Sequence, residues 1–174
     1  MRPIPKPSLL AVFALSFLAA CGHSGTEIIA TLDHGATVAD DADCNLSTPL
    51  VPGVPGSPGH LIPSPRNPNG DSELASIMRM FVDDLRDARV LVEAGEPVKK
   101  LHPRFRKMRC AWPTVPSDRN EKFDGLAQAY LDRVKLFDAK ASKVTYNGII
   151  DGCIACHDQS CGGPLEFIGG MRWE

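Results

Sequence analysis

No surplus of basic residues marks this sequence: Lys and Arg number 19 against 21 Asp and Glu. Without a basic tract it lacks the electrostatic footprint of a nucleic-acid surface. It also lacks an apolar run of the roughly 20 residues that a membrane span requires. Its uncharged stretch from Leu9 to Ala20 has twelve. Residues 22–70 carry no helical or strand period of any length, so no core-forming element is expected there. Residues 71–174 are then the part that can bury a core, and their number fits one domain.

What is present begins with an export pattern. Arg2 and Lys6 precede the apolar stretch, which has the length of a signal-peptide h-region. Leu18-Ala19-Ala20-Cys21 resembles the lipobox of bacterial lipoproteins, which implies cleavage before Cys21 and acylation of its thiol. Gly22, standing where Asp would favour the inner membrane, points to the outer one. Residues 1–20 are therefore expected to be a lipoprotein signal peptide, with the mature chain exported and tethered on the periplasmic side. Loss of Arg2 and Lys6 leaves 17 basic residues against 21 acidic, a net charge of −4. Residues 21–70 follow as a tether. From Pro49 to Pro58 proline recurs at every third position, one turn of a polyproline II helix. This predicts either a stalk extending about 3.1 Å per residue or a disordered spacer.

Near the other end lies Cys153-Ile154-Ala155-Cys156-His157, the spacing used for attachment of c-type haem. On a helix, positions i, i+3 and i+4 share a face. Both thiols can then bond the two vinyl groups while the imidazole lies under the iron. The same residues suit a structural pair, a redox dithiol, or a zinc site completed by Cys161. Export tilts the choice toward haem, because exposed thiols outside the cytoplasm tend to oxidise.

The 71–174 segment reads as four helices. The first starts at Asp71 or Ser72, carries Leu74, Ile77, Met78, Phe81, Leu85, Ala88 and Val92 on one stripe, and stops at Gly95 and Pro97. The second starts at Pro97 and is interrupted by Pro103 beside His102. The third runs from Ser117 or Asp118 with Phe123, Leu126, Tyr130, Val134, Phe137 and Ala141 inward. Ser142 caps the fourth, whose inner face holds Tyr146, Ile149, Ile150, Cys153, Cys156 and His157. Gly148 and Gly152 thin this helix, either admitting a porphyrin closely or weakening it. Four amphipathic helices with short connections predict an all-α, antiparallel four-helix bundle.

With its haem motif on the last helix, the chain resembles the class II c-type cytochromes, the group of cytochrome c′ and its low-spin four-helix relatives. The resemblance covers about residues 71–160. It implies one covalent haem c, thioethers at Cys153 and Cys156, and His157 as an axial iron ligand. In low-spin members a methionine early in helix one is the second ligand, which places Met78 in that role. Met80, rotated by about 200° on an ideal helix, is the poorer candidate, and His102 is a further one. Met78 as ordinary core packing is the alternative. Met171 lies too close to His157 for the ligand arrangement of class I cytochromes. An up-down-up-down bundle would bring Cys110 and Cys161 to the same pole, so these are the candidate disulfide, with Cys44 left over. His23, His34 and His60 fall in the tether. The tail beyond His157 departs from the family and is expected to fold back over the haem edge or the bundle base.

Two functions follow as expectations. With Met78 bound, the protein is a one-electron carrier, not an enzyme, that meets other exported redox proteins transiently. With the sixth site open, a pocket of Met78, Phe81 and Tyr130 would bind NO or CO. Dimers occur among the relatives, so a homodimer is compatible with the pattern.

Overall fold

A computed structural model describes residues 44–174. The signal peptide, Cys21, His23 and His34 lie outside the described residues. The described region contains five α-helices and no β-strand beyond one isolated bridge: α1 Glu73–Ala94, α2 His102–Phe105, α3 Glu121–Ala139, α4 Lys143–Ser160 and α5 Leu165–Gly169.

Local chemistry sets the ends of the long helices. Ser72 caps α1 by accepting from the Ala75 N–H at 3.2 Å. Gly95 ends it in the left-handed region at φ 72°, with its N–H on the Leu91 and Val92 carbonyls, a conformation glycine adopts without strain. Asn120, rather than Ser117 or Asp118, caps α3; Pro116 starts a separate 3₁₀ turn upstream. Ser142 and Thr145 form a capping box on α4. The expected second helix is much shorter than its sequence pattern. Residues 97–100 are not helical, because Pro103 occupies the first turn of α2, where its missing N–H costs nothing, rather than an interior position. A 3₁₀ turn over Arg106–Cys110 completes this segment. Ala141, expected on the inner stripe of α3, lies beyond its end and is exposed.

The core is built around aromatic rings. Phe81 of α1 stacks on Phe105 of α2 with centroids 3.8 Å apart, and Tyr130 of α3 lies parallel to both at 6.5 and 6.3 Å. Phe137, Val134, Tyr146, Ile149 and Ile150 continue this layer between α3 and α4 and are almost wholly buried. Arg109 fixes the 3₁₀ turn on α3 by a two-pronged contact with Asp124, both bonds 2.8 Å. The tail folds back as expected. Tyr146 Oη donates to the Met171 carbonyl at 3.3 Å, Asn147 exchanges two hydrogen bonds with the backbone of Trp173, and Arg172 pairs with Asp151.

Residues 44–70 do not form a stalk. They are turns held against the helical domain, so the boundary expected at residue 70 is not a structural one. Each proline of Pro52, Pro55 and Pro58 is followed by a glycine at positive φ, 79°, 88° and 80° for Gly53, Gly56 and Gly59. Pro-Gly with glycine in that region makes a tight turn, not a polyproline II helix. Gly56 is compulsory for a second reason: a Cβ there would fall 2.2 Å from the Glu73 backbone nitrogen. Its carbonyl accepts the Glu73 N–H at 3.1 Å, and Ile62 and Asp71 exchange backbone hydrogen bonds. Asp71 in turn receives Arg79 through two bonds of 2.7 and 2.6 Å. That guanidinium holds its carboxyl at about 2, against the opposing effect of burial.

The disulfide also differs from expectation. Cys44 bonds Cys110, while Cys161 is free and exposed. The cause is the folded-back segment: Arg119 Nη2 donates to the carbonyls of Asn45 and Thr48 at 2.6 and 2.7 Å, and its Nε to that of Arg109 at 3.0 Å. This one side chain gathers the neighbours of both cysteines. The bridge closes a loop with a sequence separation of 66 residues, for which chain-entropy reasoning gives about 4 kcal/mol of stabilisation. Cys44→Ser is therefore expected to lower the free energy of unfolding by about that amount. Urea denaturation, with and without reductant on the parent chain, measures it.

Candidate functional site

The first half of α4 supplies core residues, and its last two turns line a cavity. Cys153, Cys156 and His157 share one helical face there, and all three line a single hollow of about 860 Å³. Facing them are Met78, Phe81 and Leu85 of α1, Phe123 and Tyr130 of α3, and Ile168 and Met171 from the tail. The volume lies in the range of cofactor sites, which are concave and mainly apolar with a few placed polar groups. Among the described residues no helix is long and apolar enough to cross a membrane.

Electrostatics in the cavity are set by burial. The Cys153 thiol is pushed up to about 12, chiefly by desolvation, and burial also raises that of Cys156. Neither forms a disulfide. Both therefore stand as protonated thiols, poor nucleophiles and poor ligands for a bare cation. Tyr130 is 4% exposed and its hydroxyl has no hydrogen-bond partner other than the neighbouring Cys153 thiol. Burial and the neighbouring Cys153 push its phenol well above the ordinary range.

His157 Nδ1 lies 3.1 Å from the Cys161 carbonyl oxygen. A carbonyl only accepts, so this contact takes the tautomer with hydrogen on Nδ1 and leaves Nε2 as the electron-pair donor of the ring. Metal-binding histidines are oriented by contacts of this kind. The Cys161 N–H also donates to the His157 carbonyl at 2.9 Å, so the residue after the helix fixes the ring through its backbone, not its thiol.

The candidate residues divide accordingly. Cys153, Cys156, His157 and Met78 are brought together, as are Phe81 and Tyr130. Met80 is turned away, its sulfur accepting from Arg104 at 3.3 Å. His102 does not line the cavity; burial, then Lys135 and Arg106, lowers its imidazole. Among the described residues no group of three or more His, Cys, Asp and Glu side chains is placed to hold a metal ion. The zinc set of Cys153, Cys156, His157 and Cys161 is thus not assembled, whereas a haem needs only one or two protein ligands. Met171, set aside on its spacing, is buried in the same wall and gives the cavity a second thioether. Only its place in the apolar tail hinted at this. The carbonyl of Cys161 has no side-chain signal and was not readable. The residues fit a covalent haem: an apolar hollow of suitable size, two thiols at attachment spacing, and an imidazole with Nε2 left free.

Compared with protein-family models, curated proteins and solved structures, the chain matches none.

The burial of the thiols has a direct consequence for the chain without a cofactor. Iodoacetamide at about pH 8 is expected to label exposed Cys161 well before Cys153, whose thiol is partly buried and raised by desolvation. Peptide mass spectrometry reads the order, and early labelling of Cys153 would contradict the buried site.

Proposed function

We propose that this protein is a c-type cytochrome, a one-electron carrier with one haem attached through Cys153 and Cys156. The observation that carries the reading is that both thiols and His157 share one face of α4 and line the same apolar hollow as Met78. The bound group would supply a reversible one-electron iron couple. Everything else is the work of the chain. Cys153 and Cys156 would provide the sulfurs of two thioether bonds, and His157 would offer Nε2 to the iron. Met78 would offer its thioether as a second ligand, which would favour the reduced metal. Phe81, Leu85, Tyr130 and Ile168 keep water from the site.

The all-helical fold is compatible with the resemblance to class II cytochromes, which implies an antiparallel bundle with its haem on α4. Export is supported by the Cys44–Cys110 bridge, since disulfides persist in oxidising compartments. In this reading Cys21 carries acyl chains that hold the protein at the periplasmic side of a bacterial membrane, the outer one in preference, where it meets other exported redox proteins. Cys21→Ser is then expected to move the protein from the membrane fraction to the soluble periplasmic fraction, because the acyl chains provide the anchor. An unchanged distribution would contradict lipidation.

A second reading rests on the buried Tyr130 hydroxyl, which has no hydrogen-bond acceptor or donor other than the neighbouring Cys153 thiol and belongs to the same hollow as Phe81 and Met78. If Met78 does not reach the iron, that side of the cavity is a pocket for NO or CO with a donor waiting in it. Absorption spectra of the haem-loaded protein with and without CO separate the two. The carrier gives a low-spin reduced spectrum unaffected by CO, lost in Met78→Ala and kept in Met171→Ala. A high-spin spectrum that shifts on CO establishes the gas-binding protein, and absence of covalent haem refutes both.

A further inference from the structure

A flat macrocycle with carboxylates along one edge needs an apolar slot with cations at its border. The floor of the cavity is apolar, but its exposed rim is not. Arg66 comes from the folded-back segment, Thr114 and Asp118 from the loop before α3, and Asn120 and Lys122 from the start of α3. Ser72 and Thr114 join the two sides of this border by a hydrogen bond of 3.2 Å. The charged groups facing it are few. Arg79 is already neutralised by Asp71. Asp118 is the remaining carboxylate, against Arg66 and Lys122. The Arg66 guanidinium has no ion-pair partner among the described residues, and Lys122 Nζ makes only a hydrogen bond of 3.2 Å to the Gln159 carbonyl. The first turns of α1 and α3 also reach this border through Leu74, Ala75, Lys122 and Phe123, adding the positive ends of two helix dipoles. Inside the same hollow lies the buried Tyr130 hydroxyl, with no partner besides the Cys153 thiol.

We infer that Arg66 and Lys122 form a cationic clamp for the carboxylate edge of the cofactor, so that the edge bearing the propionates lies toward the 112–122 loop. This rests on the haem reading and deepens it. It also gives residues 44–70 a part in the site: the Cys44–Cys110 bridge, the bond from Trp112 Nε1 to the Val51 carbonyl at 2.7 Å and the Ile62–Asp71 pairing hold that segment in place, and with it Arg66. An exported spacer is thereby turned into one wall of the cofactor pocket.

A cation beside the propionates favours their ionised form and disfavours the oxidised iron. Removing it should lower the midpoint potential. The break in the curve of potential against pH, where a propionate titrates, should move to higher pH. The experiment is spectroelectrochemical titration of full-length haem-loaded protein from about pH 5 to pH 9, a window around the histidine and raised-carboxylate range. Arg66→Gln and Lys122→Gln are each expected to show both changes, and Arg66→Lys and Lys122→Arg to restore the parent values. Both side chains are exposed, and circular dichroism of each variant is expected to match the parent. Covalent haem with an unchanged potential and break in both Gln variants overturns the clamp and leaves the cytochrome reading standing. Absence of covalent haem from the parent chain overturns that reading, and the clamp with it.

Discussion

The contact between α3 and α4 at Gly152 governs how deep the site lies. A Cβ at that position would come 2.9 Å from Arg133 Cδ and 3.1 Å from Tyr130 Cδ2, closer than a side chain tolerates without displacing its neighbour. The absent side chain lets the two helices meet over their buried faces, with Tyr146, Ile149 and Ile150 on one and Val134 and Phe137 on the other. Cys153 follows Gly152 directly, so this approach draws its thiol into the interior beside Tyr130. The missing side chain at Gly152 leaves room for Tyr130 beside the Cys153 thiol, whose raised pKa comes chiefly from desolvation.

Gly152 packs closely against Arg133 and Tyr130 of α3, and Gly148 faces open space. Sequence patterns located what depends on near neighbours. The stripe of α1, its Ser72 and Gly95 ends, the Ser142 cap and the shared face of Cys153, Cys156 and His157 all follow from spacings of three and four residues. What escaped depends on partners far along the chain. Cys44 and Cys110 are joined because Arg119 collects carbonyls from residues 45, 48 and 109, and no local pattern announces this. Prolines at a three-residue period suggested a rod; the glycine behind each one decides for turns instead, since only glycine takes the positive φ cheaply. Arg66, read as part of a spacer, stands at the cavity rim for the same reason.

The tail settles a different balance. Residues 161–174 follow α4 and include the short helix α5. They are tied down at Met171, Arg172 and Trp173 by Tyr146, Asp151 and Asn147, with Arg86 over the ring of Phe167 and Arg89 over that of Trp173 at 5.5 Å each. Each contact alone is modest. Together they fix Ile168 and Met171 as a wall of the cavity. The backbone of Cys161, where the chain leaves α4, is at the same time the acceptor that orients His157. Fold-back of the tail and orientation of the imidazole are therefore one structural event.

Whether such a cavity carries electrons or binds a gas turns on the side opposite His157. Methionine is long, unbranched and soft, so the thioether of Met78 can reach a metal or fall back into packing at little cost. Phe81 and Leu85, fixed in the core on the same helix, limit how far it can retreat. The Ser72 cap, the Asp71–Arg79 pair and the packing of Phe81 against Phe105 and Tyr130 tie α1 down in a position that keeps Met78 in the lining of the hollow. A rigid helix that presents a flexible ligand favours a filled coordination shell. If the thioether were bound, a small molecule would have to displace it from a hollow lined by Phe81, Phe123, Tyr130 and Phe167. Under the proposed cytochrome reading these constraints favour the carrier over the gas-binding alternative, and the same rigidity would keep the reorganisation that accompanies each electron small.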